Sequence, residues 1–133
     1  MKRFVLDACA LIAYIRKEEG STVIEKILAD PLASLVMHGV NFFEVYYDYK
    51  KHQPYSAFLL YDLLKQMNIQ LFDKLDKKII EEAAVFKIHY KMSLADSIAC
   101  GFAKKLGAPL LTSDHHEFNE LMKDKVLDIC FIR

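Results

Sequence analysis

Four acidic residues stand out because of what precedes them. Asp7 closes the short apolar run 4–6, and Asp114 comes just after the apolar run 109–111. Asp96 falls in the first turn of a helical segment that begins after Ser93, and Glu44 lies mid-helix between Phe43 and Val45. Each has an ordinary explanation. Asp7 can cap a helix beginning near Ala8, and Asp114 can cap another, with Glu117 three residues on as its capping-box partner. Ser93-Leu94-Ala95-Asp96 is itself a capping-box-like string, and an acid in a first turn suits the helix dipole. Asn41, Glu44, Asp48 and Lys51 share one helix face, which would leave Glu44 in solvent. The combination reads differently. Acids at strand ends that converge with an acid at a helix start put several carboxylates into one crevice, where they repel unless protonated or bridged by a cation. A set rich in oxygen, free of thiols and poor in imidazole favours Mg2+ or Mn2+ over zinc. Such an ion can activate water, orient a phosphodiester and stabilise the departing oxygen.

Placing those acids together is the task of the surrounding elements. Short apolar runs predict strands over 4–6, 34–37, 69–72, 109–111 and 127–132. Helical periodicity and its stop signals predict helices over 10–16, 21–29, 40–51, 55–67, 76–90, 94–106 and 116–123, with Pro54 starting the fourth and Gly107 closing the sixth. Helices 40–51 and 55–67 read as a hairpin rich in aromatic residues. Strands that alternate with helices predict an α/β domain with a mainly parallel sheet. In such sheets ligands bind in the crevice beyond the carboxyl ends of the strands, which is where Asp7 and Asp114 fall.

A chain of 133 residues is expected to form one domain over 1–133. Apolar residues make up 53%, slightly above the usual share of about 45–50%, which hints at apolar surface for a partner. No apolar run reaches the roughly 18 residues of a membrane span. The carboxylate at position 7 comes too early for a secretory signal, so a cytoplasmic location is expected. Cys9, Cys100 and Cys130 are isolated and read as reduced, mostly buried thiols rather than a zinc site. Lys plus Arg and Asp plus Glu both number 18, so net charge offers a nucleic acid no general attraction. A local patch or a bound metal would have to supply it. Lys50-Lys51-His52 and Lys104-Lys105 are the candidate patches, with solvated helix ends as the blander reading.

Four strings carry a family resemblance: Phe4-Val5-Leu6-Asp7-Ala8-Cys9-Ala10, Asn41-Phe42-Phe43-Glu44-Val45, Ser93-Leu94-Ala95-Asp96-Ser97-Ile98-Ala99, and Leu111-Thr112-Ser113-Asp114 followed by Phe118. Each is short, but their order, spacing and structural context span nearly the whole chain. Together they resemble the PIN-domain nucleases, and most closely the VapC-type toxins of bacterial and archaeal toxin–antitoxin pairs. The resemblance implies a three-layer α/β/α fold around a parallel sheet. It also implies hydrolysis of RNA with Mg2+ or Mn2+ to a 5′-phosphate and a 3′-hydroxyl, homodimerisation, and inhibition by a cognate antitoxin.

On that basis Asp7, Asp96 and Asp114 are expected to hold the metal directly or through water, and Glu44 to complete the acidic pocket. Thr112 is expected to hydrogen-bond a carboxylate or the scissile phosphate, unless it is a turn residue. Asn41, one turn before Glu44, either steadies it or is simply exposed. One small domain can scarcely bury every ring of the aromatic hairpin, so part of it is expected to face an antitoxin helix or a second copy. Three alternatives stand beside this reading. His115 and His116 could cleave RNA without metal as base and acid, although adjacent histidines point apart. The chain could be a binding module of the same fold without catalysis. It could also be a housekeeping RNA-processing nuclease with no antitoxin.

Overall fold

The computed structural model describes residues 2–133. Its elements run β1 (Lys2–Leu6), α1 (Ala8–Ile15), α2 (Ser21–Ala29), β2 (Ala33–His38), α3 (Gly39–His52), α4 (Leu59–Gln66), β3 (Gln70–Phe72), α5 (Lys77–His89), α6 (Leu94–Leu106), β4 (Leu110–Thr112), α7 (His115–Asp124) and β5 (Ile129–Phe131). All five expected strands form. One helix is shorter than its apolar pattern predicts. Pro54 opens turns rather than a helix: Leu59 and Leu60 donate to carbonyls only three residues back, at Ser56 and Ala57. Tyr55 is 93% exposed and offers that first turn no packing to hold it in α geometry.

The sheet is parallel throughout, in the order β3-β2-β1-β4-β5. Successive side chains of a strand point to opposite faces, and the core divides accordingly. Val5, Val36, Leu110 and Ile129 pack against α5, α6 and α7. Leu6, Leu35, Met37 and Leu111 pack against α1, α2, α3 and α4. The result is the expected three-layer α/β/α arrangement, with helices on both faces of the sheet.

This strand order has a functional consequence. From β1 the chain winds outward through β2 to β3, then returns to the other side of β1 as β4 and continues to β5. The winding reverses between β1 and β4, and such a reversal opens a crevice at the carboxyl ends of the two strands. Leu6 is paired with Leu111 there, and the backbone N–H of Asp7 donates to the Leu111 carbonyl at 3.3 Å. The residues that leave these strands are Asp7 on one side and Thr112 to Asp114 on the other.

Helix α6 is set tightly against α5, and Gly101 permits this. A Cβ at Gly101 would lie 2.7 Å from the Ala83 nitrogen and 2.9 Å from the Ile79 carbonyl oxygen, both backbone atoms that cannot swing aside. Gly101→Ala should therefore push the helices apart and cost about 2–3 kcal/mol or more. Denaturant unfolding of the variant measures this, and an unchanged midpoint would count against the packing. At the helix end Gly107 adopts φ +61°, the left-handed conformation that closes α6 at little steric cost.

Candidate active site

Asp7 is 1% exposed and does two jobs with its two oxygens. Oδ1 caps α1 by accepting from the Ala10 N–H at 2.8 Å. Oδ2 is buried with no hydrogen-bond partner. Burial pushes this carboxyl up to about 7 from 3.8, and the nearby charges of Asp96 and Asp114 add to the rise. The Thr112 hydroxyl and the Ala10 amide oppose it, without giving Oδ2 a partner.

Asp114 caps α7 by accepting the Glu117 N–H on Oδ1 at 3.1 Å. The expected capping box is only half made. Its reciprocal bond would run from Asp114 N–H to the Glu117 carboxylate, but that N–H donates to the Thr112 hydroxyl at 3.1 Å instead. Glu117 is released by this substitution. Its Oε2 is buried without a partner, and carboxylate oxygens of Asp96, Asp114 and Glu117 lie within 4.8 Å of one another. Glu117 is the acid that the sequence reading assigned only to a cap. Its position one turn into a helix that starts at the carboxyl edge of the sheet was the available signal.

Asp96 stands in the first turn of α6, whose cap is the Ser93 hydroxyl accepting the Asp96 N–H at 3.1 Å. Burial raises the Asp96 carboxyl to about 6, reinforced by the charges of Glu44, Glu117 and Asp114. Glu44 is half-buried rather than solvated, and burial raises its carboxyl too, with Asn41 opposing. The Cys9 thiol, pushed up to about 12 chiefly by burial, feels all four acids: Asp7, Asp114, Asp96 and Glu44. Asp96, Asp114 and Glu117 thus form one cluster, and Asp7 and Glu44 stand outside its 4.8 Å circle but near enough for their charges to act on Asp96 or be acted on by it.

Supporting residues explain why the crevice holds its shape. Asn41 is buried rather than exposed. Its amide donates to the Ala95 carbonyl at 3.1 Å, tying α3 to the start of α6, while its Oδ1 is left unpartnered. Thr112 is fully buried, and its hydroxyl oxygen accepts the Asp114 N–H at 3.1 Å. His38, which sequence reading passed over, caps α3. Its Nδ1 accepts from the Val40 N–H at 3.1 Å and its Nε2–H donates to the Lys74 carbonyl at 2.9 Å. The entry angle of the helix that carries Glu44 is fixed by these two bonds.

His115 stands apart from this cluster in its bonding. His115 stacks on Phe131 with centroids 3.9 Å apart, and its ring nitrogens meet Asn119 Oδ1 and the Arg133 carbonyl. The ring stack ties α7 to β5 and Nε2 ties it to Arg133 beyond β5, while Nδ1 is engaged within α7. Cys100 is buried, Cys9 and Cys130 are half-buried, and all three thiols are free. None of the described ion pairs involves Asp7, Glu44, Asp96, Asp114 or Glu117, so among the described residues no protein cation neutralises the cluster.

Comparison with known proteins adds an independent line. The family model for the PIN domain matches residues 4–123. No curated protein matches the sequence significantly. Among solved structures, the DNA-bound VapBC complex from Salmonella typhimurium contains a chain similar to this one at 15% identity, with a TM-score of 0.78 and full coverage of both chains. VapBC-1 from nontypeable Haemophilus influenzae gives 19% identity and a TM-score of 0.74, covering 98% of each chain. Mycobacterium tuberculosis VapC20, described as a sarcin-ricin loop cleaving toxin, gives 9% identity and a TM-score of 0.67, covering 88% of this chain and 94% of that one. At such identities the likeness establishes the shared fold. Among the described residues, no helix is long and apolar enough to cross a membrane.

Proposed function

The chain belongs to the PIN-domain family, and from that premise we propose that it is a metal-dependent endoribonuclease serving as the toxin of a toxin–antitoxin pair. One observation carries the catalytic half of this reading. A fully buried carboxylate, Asp7, holds an unpartnered oxygen at the point where the sheet reverses, among further acids that nothing cationic in the described protein offsets. Burying like charges without compensation is costly, so the arrangement is built for a cation from outside.

The donors fit a hard divalent ion. They are all oxygens, with three orphaned buried atoms among them: Asp7 Oδ2, Asn41 Oδ1 and Glu117 Oε2. Such a set suits Mg2+ or Mn2+ better than zinc. Asp7, Asp96 and Asp114 would hold the ion directly or through water, which would neutralise the carboxylates and polarise the scissile phosphodiester. The residues themselves supply the rest. Glu44, with its carboxyl raised by burial, is suited to take a proton from the attacking water. The water oxygen adds to phosphorus, the bond to the 3′ oxygen breaks, and that oxygen leaves with a proton as the 3′-hydroxyl, opposite a 5′-phosphate. Thr112 and Asn41 hold the acids in place rather than touching the RNA. Glu117 joins Asp96 and Asp114 at the outer edge of the cluster. Glu117→Gln should weaken affinity for the divalent ion by about 10- to 100-fold without lowering the melting temperature. Calorimetric titration with Mn2+ reads this, and unchanged affinity would remove Glu117 from the site.

Support for a protein partner comes from the apolar surface and from the company this fold keeps. Leu59, 51% exposed, lines a hollow with Ile15, Tyr49, Leu60 and Leu63 and with the polar Ser56, Asp62 and Gln66, and the preceding Phe58 is 60% exposed. An amphipathic antitoxin helix fits such a groove, and similar chains were solved as VapBC complexes. The row Ile80, Ala84 and Ile88 along the open side of α5 suits a second copy.

The deciding experiment is cleavage of a labelled RNA pool with Mg2+ or Mn2+, with EDTA and Asp96→Asn as controls and the product of any adjoining small reading frame as inhibitor. Metal-dependent cutting that the variant loses supports the site. Activity that survives EDTA would overturn it.

A further inference from the structure

Resting on the nuclease reading, we propose that the outer row of α3, made by Phe43, Tyr47, Lys50 and Lys51, is a subsite that stacks and holds unpaired bases of single-stranded RNA beside the bond to be cut. The row is defined by helix geometry. Residues three, four, seven and eight apart on a helix share a face, so Tyr47 and Lys51 stand one and two turns beyond Glu44, and Phe43 stands one turn before Tyr47. From Glu44 to Lys51 the helix rises roughly 10 Å. A strand lying along this row would leave the acid cluster, pass two rings and reach two ammonium groups.

The rings are not core residues left slightly open. Phe42 and Val45 already fill the buried side of α3, at 4% and 2% exposure, whereas Phe43 and Tyr47 remain 63% and 54% exposed. The two exposed rings touch, with centroids 5.5 Å apart and planes at 41°. Tilted in this way they form a wedge with open faces, which is what an unpaired base requires for stacking. Solvation of a helix end accounts for lysines, but not for adjoining aromatic surface in water.

Charge favours RNA over a protein helix as the occupant. Lys50 and Lys51 are exposed, and neither takes part in an ion pair among the described residues, although the Lys50 ammonium lies over the neighbouring Tyr46 ring at 5.9 Å. Asp48, the one acid between the rings and these lysines, is engaged by Arg16 at 3.4 Å and by His52 at 3.9 Å. In a chain whose formal charge sums to zero, unpaired cations beside open rings are a local provision for phosphates and bases. Duplex RNA keeps its bases stacked on each other and would not use the wedge.

The chain contains no tryptophan, so Tyr47→Trp places a single fluorescent reporter on the platform and preserves a stacking ring. In an Asp96→Asn background, random-sequence single-stranded oligoribonucleotides should quench its emission, and a duplex should not. In the otherwise native enzyme, Tyr47→Ala should raise KM for a single-stranded substrate by roughly 5- to 150-fold, the loss expected for one stacked base, with kcat little changed. Tyr47→Phe should restore KM. Emission indifferent to single-stranded RNA, in a protein whose wild type cuts that RNA, overturns the platform and leaves the nuclease reading intact. Quenching by an RNA that the wild type never cuts, with any metal, keeps the platform and removes the hydrolysis. An emission change that follows protein concentration without RNA makes a second copy the occupant and overturns the proposal.

Discussion

Asp96→Asn is expected to lower RNA cleavage by about a hundredfold or more while leaving the protein at least as stable as before. The two halves of this result come from the same carboxyl group. Asparagine keeps the size and shape of the side chain at the start of α6, and the Ser93 cap bonds the Asp96 backbone N–H, which the substitution does not touch. The helix should therefore form unchanged. Residues that only orient a metal ligand typically cost 10- to 100-fold when lost, so a residue proposed to hold the ion itself should cost at least the upper end. Stability moves the other way. Burial and neighbouring acids raise the Asp96 carboxyl to about 6, so its ionised form is held against its preference at neutral pH. A neutral amide removes that strain. Steady-state cleavage and thermal melting of the same preparation measure both quantities. A variant that cuts at the wild-type rate would mean that the cluster is not the catalytic centre. A variant that loses activity together with its melting transition would point to folding instead.

Why the acids were legible in sequence, and Glu117 was not, follows from local physics. A strand end is marked by the halt of an apolar run, so Asp7 and Asp114 announced their place at the carboxyl edge of the sheet. Ser93 marked the helix start that carries Asp96. Convergence required the strand order, which turn chemistry does not encode: β1 and β4 lie about a hundred residues apart in the chain yet pair through Leu6 and Leu111. The release of Glu117 depended on a competition between two acceptors for one N–H, won by the Thr112 hydroxyl. Asn41 looked solvated because it shares a face with charged residues. It is buried because α6 packs over the first turns of that face and leaves only the later ones open. Pro54 signalled a helix start that failed because Tyr55 has nothing to pack against. Local pattern located the elements. Long-range pairing decided which side chains face one another.

In the metal-free protein, melting temperature should fall as pH rises from about 4 to about 7, and Mg2+ or Mn2+ should reverse the fall. Asp7 sets the window. Its carboxyl titrates near 3.8 in an unfolded chain but is raised to about 7 by burial in the fold. Below the lower value both states hold the proton, and Asp7 costs nothing. Between the two the unfolded chain releases its proton while the folded chain keeps it, so unfolding is progressively favoured. Above about 7 the penalty is complete, on the order of 4 kcal/mol at about 1.4 kcal/mol per unit. Asp96 and Glu44 are shifted in the same direction and add to the slope, though water screens them more. Asp76, held low by Lys105, works with the opposite sign but below this window. For a domain of this size the fall should reach on the order of 10 °C. A divalent ion held by the folded cluster, as proposed, would change the balance because it would bind the ionised form. At a hundred times its dissociation constant it should return about 2.7 kcal/mol. At pH 5, where Asp7 keeps its proton, the same ion should do little. Scanning calorimetry across pH 4.5 to 8, with EDTA and with each ion, tests the whole chain of reasoning, and Asp7→Asn should flatten the metal-free curve. A metal-free protein that instead gains stability towards pH 8, or one indifferent to divalent ions there, would show that the buried carboxylate finds its charge balance within the protein.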